Sequence, residues 1–295
     1  MPLSPREALQ STVTELANRT PGSIKSLLPV DLKARIVNGL WPEPETVEPC
    51  TVFVSYPKSG RTWLRVLLGK AIAERYGFDD KDALGAHRLA GKFGLDALRW
   101  THDGSAPLDG TCYWEQCRDK SAFQDKKVVF LTRDIRDVLV SSYHASRKRD
   151  RVFEGDISSF IRSDTFGVKR ILTFHNTWHR NRDVPARFLH FRYEDLHREP
   201  MPILREILTL IGSDDIDDSI LEKAVKFGAF ENMRRLEESR FFKSGVMRPR
   251  IDGDPDSRKV RVGRVGGYRD ELSAEDLAYI AAVERELGNP FPSGV

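Results

Sequence analysis

An α/β domain with a central parallel β-sheet flanked by helices is predicted for this chain of 295 residues on three observations. Short apolar runs alternate with stretches of helical spacing, and tight turns join each run to the stretch after it. The first such junction is rich in Gly, Lys and hydroxyl side chains, the composition of a phosphate-binding turn.

Residues 1–50 read as an N-terminal arm, with helical spacing over 5–18 and then WPEPETVEP (41–49), which cannot continue a helix. TVFVSY (51–56), β-branched and aromatic and bounded by Pro57, reads as a buried strand. GRTWLRVLLGKAIAERY (60–76) spaces Trp63, Leu64, Leu67, Leu68, Ala71 and Ile72 for one helix face, with Gly77 as the stop. KVVFLTRD (127–134) is a second strand, followed by a helix over 135–148. ARFLHFRYEDL (186–196) is a third, followed by a helix over 200–211 that opens with two prolines. Residues 78–126 and 239–268 break the alternation and read as long functional loops.

Composition bounds the function. Hydrophobic residues at 40% and charged residues at 31% allow a real core and exclude global disorder. No apolar run approaches a membrane span; 277–283 is among the longest. The first residues lack an apolar signal region, and Cys50, Cys112 and Cys117 are too few for a disulfide framework, so a reducing cytoplasm is expected. A net charge of +3 argues against a general nucleic-acid binder. Its distribution is uneven: residues 240–270 hold nine Lys or Arg against four Asp, a local field suited to a small polyanion.

The strongest chemical signal is SYPKSGRTW (55–63), between a buried strand and a helix. Gly60 permits the turn, N–H groups at the helix start can face phosphate oxygens, Lys58 adds a mobile charge, and Ser59 and Thr62 add hydroxyl donors. It is not a Walker A loop, whose lysine follows the second glycine, so neither Mg²⁺ nor a γ-phosphate is implied. His175 and His179 have the spacing of metal ligands on a helix but lack an adjacent Glu and a third ligand; they read as helix packing, and no metal is expected.

Three segments in order resemble the cytosolic-type sulfotransferase family. PKSGRTW (57–63) is similar to the family's PKSGTTW. RDIRDVLVSSYH (133–144) places Arg133 and Ser141 eight apart, as in its second motif, and RVGRVGGY (261–268) resembles its third. Tyr193 in FRYEDL, Phe230 in AFENM and the 175–178 stretch are further matches, and the resemblance covers about 50–275. Arg61 stands where the family has threonine, Trp100 where it often has lysine, Val262 where its RKG has lysine, and Gly228 where it has a threonine.

The resemblance implies a P-loop-type nucleotide-binding sulfotransferase fold and sulfuryl transfer from 3′-phosphoadenosine 5′-phosphosulfate (PAPS) to a hydroxyl acceptor: a small phenol or alcohol, a glycolipid or a glycan. It implies that Lys58, Ser59, Gly60, Arg61, Thr62 and Trp63 hold the 5′ end of the donor. Arg133, Ser141, Arg261, Val262 and Gly263 would take the 3′-phosphate, with Tyr193 and Phe230 completing the nucleotide site and Trp63 stacking with Phe230 around the adenine. Lys58 is expected to reach the bridging oxygen, and His102, in a Thr101-His102 pair, to be the base, with His87 its rival in the same interval. Outside the motif, Arg133 would read as a surface partner of Asp134 or Asp137. Residues 51–275 would form the domain, with 239–268 a cationic lid, 276–295 a C-terminal helix and tail, and 78–126, 143–170 and 239–257 the acceptor pocket. Two other classes compete: a P-loop kinase or NTPase, disfavoured by the lysine placement, and a non-catalytic polyanion-binding module using 240–270.

Overall fold

A computed structural model describes residues 50–107, 110–214, 216–247, 258–260 and 263–292. Residues 1–49 of the expected arm, with its helix over 5–18, and residues 248–257, 261 and 262 of the expected lid, Arg261 and Val262 among them, lie outside the described residues.

Among the described residues the sheet has four parallel strands: β1 Cys50–Ser55, β2 Ala97–Thr101, β3 Lys127–Thr132 and β4 Arg187–Arg192, in the order β2-β1-β3-β4. β1 is buried along its whole length because helices cover both faces, which is why its residues are apolar in succession rather than alternately. Alternation still sorts them. Val52, Val54, Val128 and Phe130 face one layer, while Phe53, Val129 and Leu131 face the other.

The first layer contains α2 (Ile135–His144), α3 (Ile157–Arg162), α4 (Val168–Arg180) and α9 (Ala274–Leu287), with Val138, Leu172, Trp178 and Ile280 almost fully buried. The second contains α1 (Arg61–Tyr76), α6 (Pro200–Leu210) and α7 (Asp218–Phe227), contributing Leu64, Leu67, Ile72, Leu204 and Leu221. Each such side chain stabilises the fold by roughly 1.5–3 kcal/mol through burial. The short α5 (Tyr193–Arg198) continues directly from β4, so the expected third strand ends at Arg192. A smaller cluster of Val66, Leu84, Met233, Leu236 and Phe242 seats α8 (Phe230–Glu238) against α1.

β2 lies inside the stretch expected to be loop. ALRWT carries a charged Arg99 and only one buried residue, Leu98, as suits the edge of a sheet. Its register pairs Val54 with Thr101, so the residue after β2 emerges beside the end of β1. Among the described residues, no helix is long and apolar enough to cross a membrane.

Candidate active site

The strand ends β1 and β3, the start of α1 and residues Lys259, Val260, Gly263, Arg264 and Gly267 surround a cavity of about 620 Å³. At the β1–α1 junction, Lys58 has φ 72° and Gly60 φ 95°. Left-handed backbone at a lysine is uncommon and marks a constrained, functional turn. Gly60 is required on two grounds, its φ and its neighbour: a Cβ there would meet the Tyr193 ring at 2.4 Å. No side chain caps α1 at this end; the Trp63 N–H donates to the Gly60 carbonyl at 2.9 Å, which leaves the N–H groups of Arg61 and Thr62 for a ligand. Ser59 Oγ and Arg61 Nη1 are buried without a hydrogen-bond partner. Such groups cost free energy unless something polar reaches them.

Arg133 follows β3 and ties two segments together. It donates to the carbonyls of Lys58 and Arg264, each at 3.4 Å, and its guanidinium lies 4.5 Å from the centre of the Tyr193 ring. It pairs with Asp137 at 3.4 Å, whereas Asp134 is engaged by Arg136. The buried Asp137 carboxylate also accepts the N–H groups of Gly266 (2.8 Å) and Tyr268 (3.0 Å), fixing the turn that carries Gly263. Gly263 has φ +63°, and a Cβ there would come within 2.1 Å of Phe230. Ser141, Tyr193 and Phe230 line the cavity with Trp63, whose indole N–H donates to the Gly228 carbonyl at 2.8 Å.

His102 is 9% exposed and also lines the cavity. Its Nδ1 lies 2.8 Å from the carbonyl oxygen of Ser55. A carbonyl only accepts, so Nδ1 carries the proton and Nε2 of the neutral ring has the lone pair. Burial, then the charge of Arg61, hold this histidine well below its ordinary pKa despite the Ser55 bond, and Lys259 and Lys58 lower it further. The loop after it is clamped. Buried Arg170 donates to the carbonyls of Ser105 (3.1 Å) and Thr111 (2.5 Å), and Lys120 pairs with Asp103 at 2.8 Å.

His87 is elsewhere. It sits beside Arg65 on the far side of α1, and burial with that positive charge lowers its pKa to about 4. Trp100 stacks on Phe53 at 4.0 Å in the core. His175, on α4, is buried among Phe130, Phe174 and Phe291.

Lys259 was not singled out by sequence, although the basic excess of 240–270 contains it. It lines the cavity, and its Nζ reaches Thr62 Oγ1 at 3.5 Å. Burial, then the charges of Arg149, Lys58, Arg61 and Arg65, hold its amine well below the ordinary lysine range.

The sulfotransferase domain family model matches residues 114–288. Flavonol 3-sulfotransferase of Flaveria bidentis is 26% identical over 264 residues, covering 81% of this chain and 82% of that protein. Cytosolic sulfotransferase 16 of Arabidopsis thaliana is 25% identical over 253 residues, covering 79% and 74%. Among solved structures, a mouse sulfotransferase complexed with PAP superposes with a TM-score of 0.59 at 16% identity, covering 86% of this chain and 90% of that one. Retinol dehydratase in a complex with retinol and PAP gives 0.61 at 17% identity, covering 90% and 88%.

Proposed function

We propose that this chain, which belongs to the sulfotransferase domain family and is a PAPS-dependent sulfotransferase, transfers the sulfuryl group to the hydroxyl of a small phenol. The acceptor class is supported by the flavonol sulfotransferases among its relatives and by a cavity of about 620 Å³, room for a small aromatic molecule beside a nucleotide. Two relatives named as cytosolic sulfotransferases favour the same compartment for this chain.

The cleft suits such a donor. The orphaned Ser59 Oγ needs a polar partner, and Gly60 and Gly263 lie under Tyr193 and Phe230 with no room for a Cβ. Lys58, Ser59, Gly60, Thr62 and Trp63 would hold its 5′ end. Arg133, Ser141, Gly263 and the undescribed Arg261 and Val262 would hold its 3′-phosphate, with Phe230 and Tyr193 against the nucleotide. When bound, the donor supplies the sulfuryl group and a phosphate leaving group.

One observation supports the chemical roles: His102, whose Nδ1 is bonded to the Ser55 carbonyl so that Nε2 keeps the lone pair, lines the same cleft as Lys58. Nε2 takes the acceptor's hydroxyl proton as the new S–O bond forms. Lys58 offsets the negative charge that gathers on the departing oxygen.

The test is thermal stabilisation by adenosine 3′,5′-bisphosphate with no metal added, followed by a mass-spectrometric screen for gain of one sulfate across phenols, alcohols, glycolipids and glycans. Stabilisation only by Mg–ATP would favour a kinase, and stabilisation only by heparin, lost in salt, a polyanion-binding module. Sulfation confined to non-phenolic acceptors would overturn the acceptor class alone.

A further inference from the structure

Cations outnumber carboxylates on the wall of the cavity that His102 lines. Arg61 and Lys259 line the same cavity as His102 and act on it electrostatically. Among the described residues neither has an acidic partner. Arg61 Nη1 is buried with no hydrogen-bond partner, and Lys259 Nζ reaches only Thr62 Oγ1. The buried Glu237 carboxylate accepts the backbone N–H groups of Lys259 (2.8 Å) and Val260 (2.9 Å), so it fixes where Lys259 stands without pairing with its amine. Four acidic residues stand on the cavity wall: Asp137, Asp270 and Glu271 pair with Arg133, Arg264 and His144, and Asp150 has an interaction partner of its own.

Holding cations together in a partly dry cleft is unfavourable unless an anion joins them. The donor's anionic ends would be met by Lys58, Ser59, Gly60 and Thr62 and by Arg133 with Ser141. Arg61 and Lys259, on the wall of the cavity that His102 also lines, remain for another anion.

We propose that the acceptor carries an oxyanion of its own besides the reacting hydroxyl, a carboxylate or an ester sulfate or phosphate, and that Arg61 and Lys259 bind it. This rests on the phenolic acceptor proposed above and narrows it. An Arg fork beside a lysine suits such a group, because the guanidinium can take two oxygens while the amine takes the remaining charge.

Two naphthols separate this from its rivals: 6-hydroxy-2-naphthoate and its uncharged methyl ester. With the donor saturating, the native protein is expected to favour the carboxylate in kcat/KM by about tenfold or more, the scale of one charge-assisted contact. Lys259→Met and Arg61→Gln should each bring that ratio toward one. The ratio is the readout, so a general loss of activity does not count. Binding of the two probes to the protein with adenosine 3′,5′-bisphosphate, measured by calorimetry, gives the same comparison without turnover. If the ester is turned over and bound as well as the carboxylate, or if neither binds, the proposal is wrong. It is equally wrong if Lys259→Met and Arg61→Gln weaken bisphosphate binding about tenfold and leave the ratio unchanged, since both cations would then serve the donor. Failure of the proposed reaction itself reads differently, as no stabilisation by the bisphosphate at all.

Discussion

His102 Nδ1 stands 2.8 Å from the Ser55 carbonyl, so the last residue of β1 sets the tautomer of a histidine that follows β2. His102→Ala is expected to lower turnover by about 10²–10⁴ with donor binding nearly intact. A neutral ring is needed to accept a proton, and the folded protein depresses this pKa well below 6.5. The acidic limb of kcat/KM should therefore fall below the ordinary histidine range and vanish in the variant. His87→Ala, outside the cleft, should be close to neutral. A silent His102→Ala would remove it as the base.

Much of this arrangement is legible in the residues, and the part that is not has a physical cause. The β1 and β3 strands and α1 announce themselves because burial on both faces forces continuous apolar runs and because Gly60 and Gly77 punctuate the helix. β2 escapes because an edge strand with Arg99 and Trp100 has no such run. Only its pairing with β1 brings His102 to Ser55, and a pairing between residues 47 apart leaves no local signal. Lys259 escapes for a related reason. Its neighbours Thr62 and Glu237 are distant in sequence, so it looks like one basic residue among nine.

Lys58→Ala is expected to cost about 10²–10³ in turnover, the scale for losing one preorganised charge-stabilising group. Adenosine 3′,5′-bisphosphate should still stabilise the variant, since the α1 N-terminus and Arg133 remain. Single-turnover sulfation within about threefold of the parent would remove Lys58 from the chemistry.

Arg133→Ala and Arg261→Ala are expected to weaken donor binding by about 1.5–3 kcal/mol each, because they address a phosphate that does not react. Arg133→Ala should be the larger loss, since that side chain also joins the Lys58 and Arg264 carbonyls. Unchanged calorimetric affinity for the bisphosphate in both variants would mean that the 3′-phosphate lies elsewhere.

Arg170 holds the loop behind His102 through Ser105 and Thr111. Arg170→Met is expected to lower kcat about tenfold or more while leaving bisphosphate affinity within about twofold. It should also raise the acidic limb of kcat/KM toward pH 6.5, because a loosened loop readmits water to His102. A fall in thermal stability with kcat and the pH profile unchanged would reduce Arg170 to a packing role.

Acid should weaken the fold through a histidine remote from the cleft. His175 is 1% exposed, and neither ring nitrogen has a hydrogen-bond partner. Burial, helped by the charge of His190, lowers its pKa to about 3. Burial with Arg192 likewise brings His190 to about 4. In the unfolded chain both titrate near 6.5, so between that pH and their folded values the unfolded state binds more protons than the folded one. Their contribution is complete above pH 6.5 and declines as pH falls, by up to about 1.4 kcal/mol per unit for each histidine. His175→Leu removes one of the histidines with a lowered pKa, a set that includes His87 and His102, while keeping an apolar side chain among Phe130, Phe174 and Phe291. Urea midpoints of the native protein should drop markedly from pH 8 to pH 5, and those of His175→Leu should drop less. Equal drops in both would show that His175 gains a proton partner in the fold.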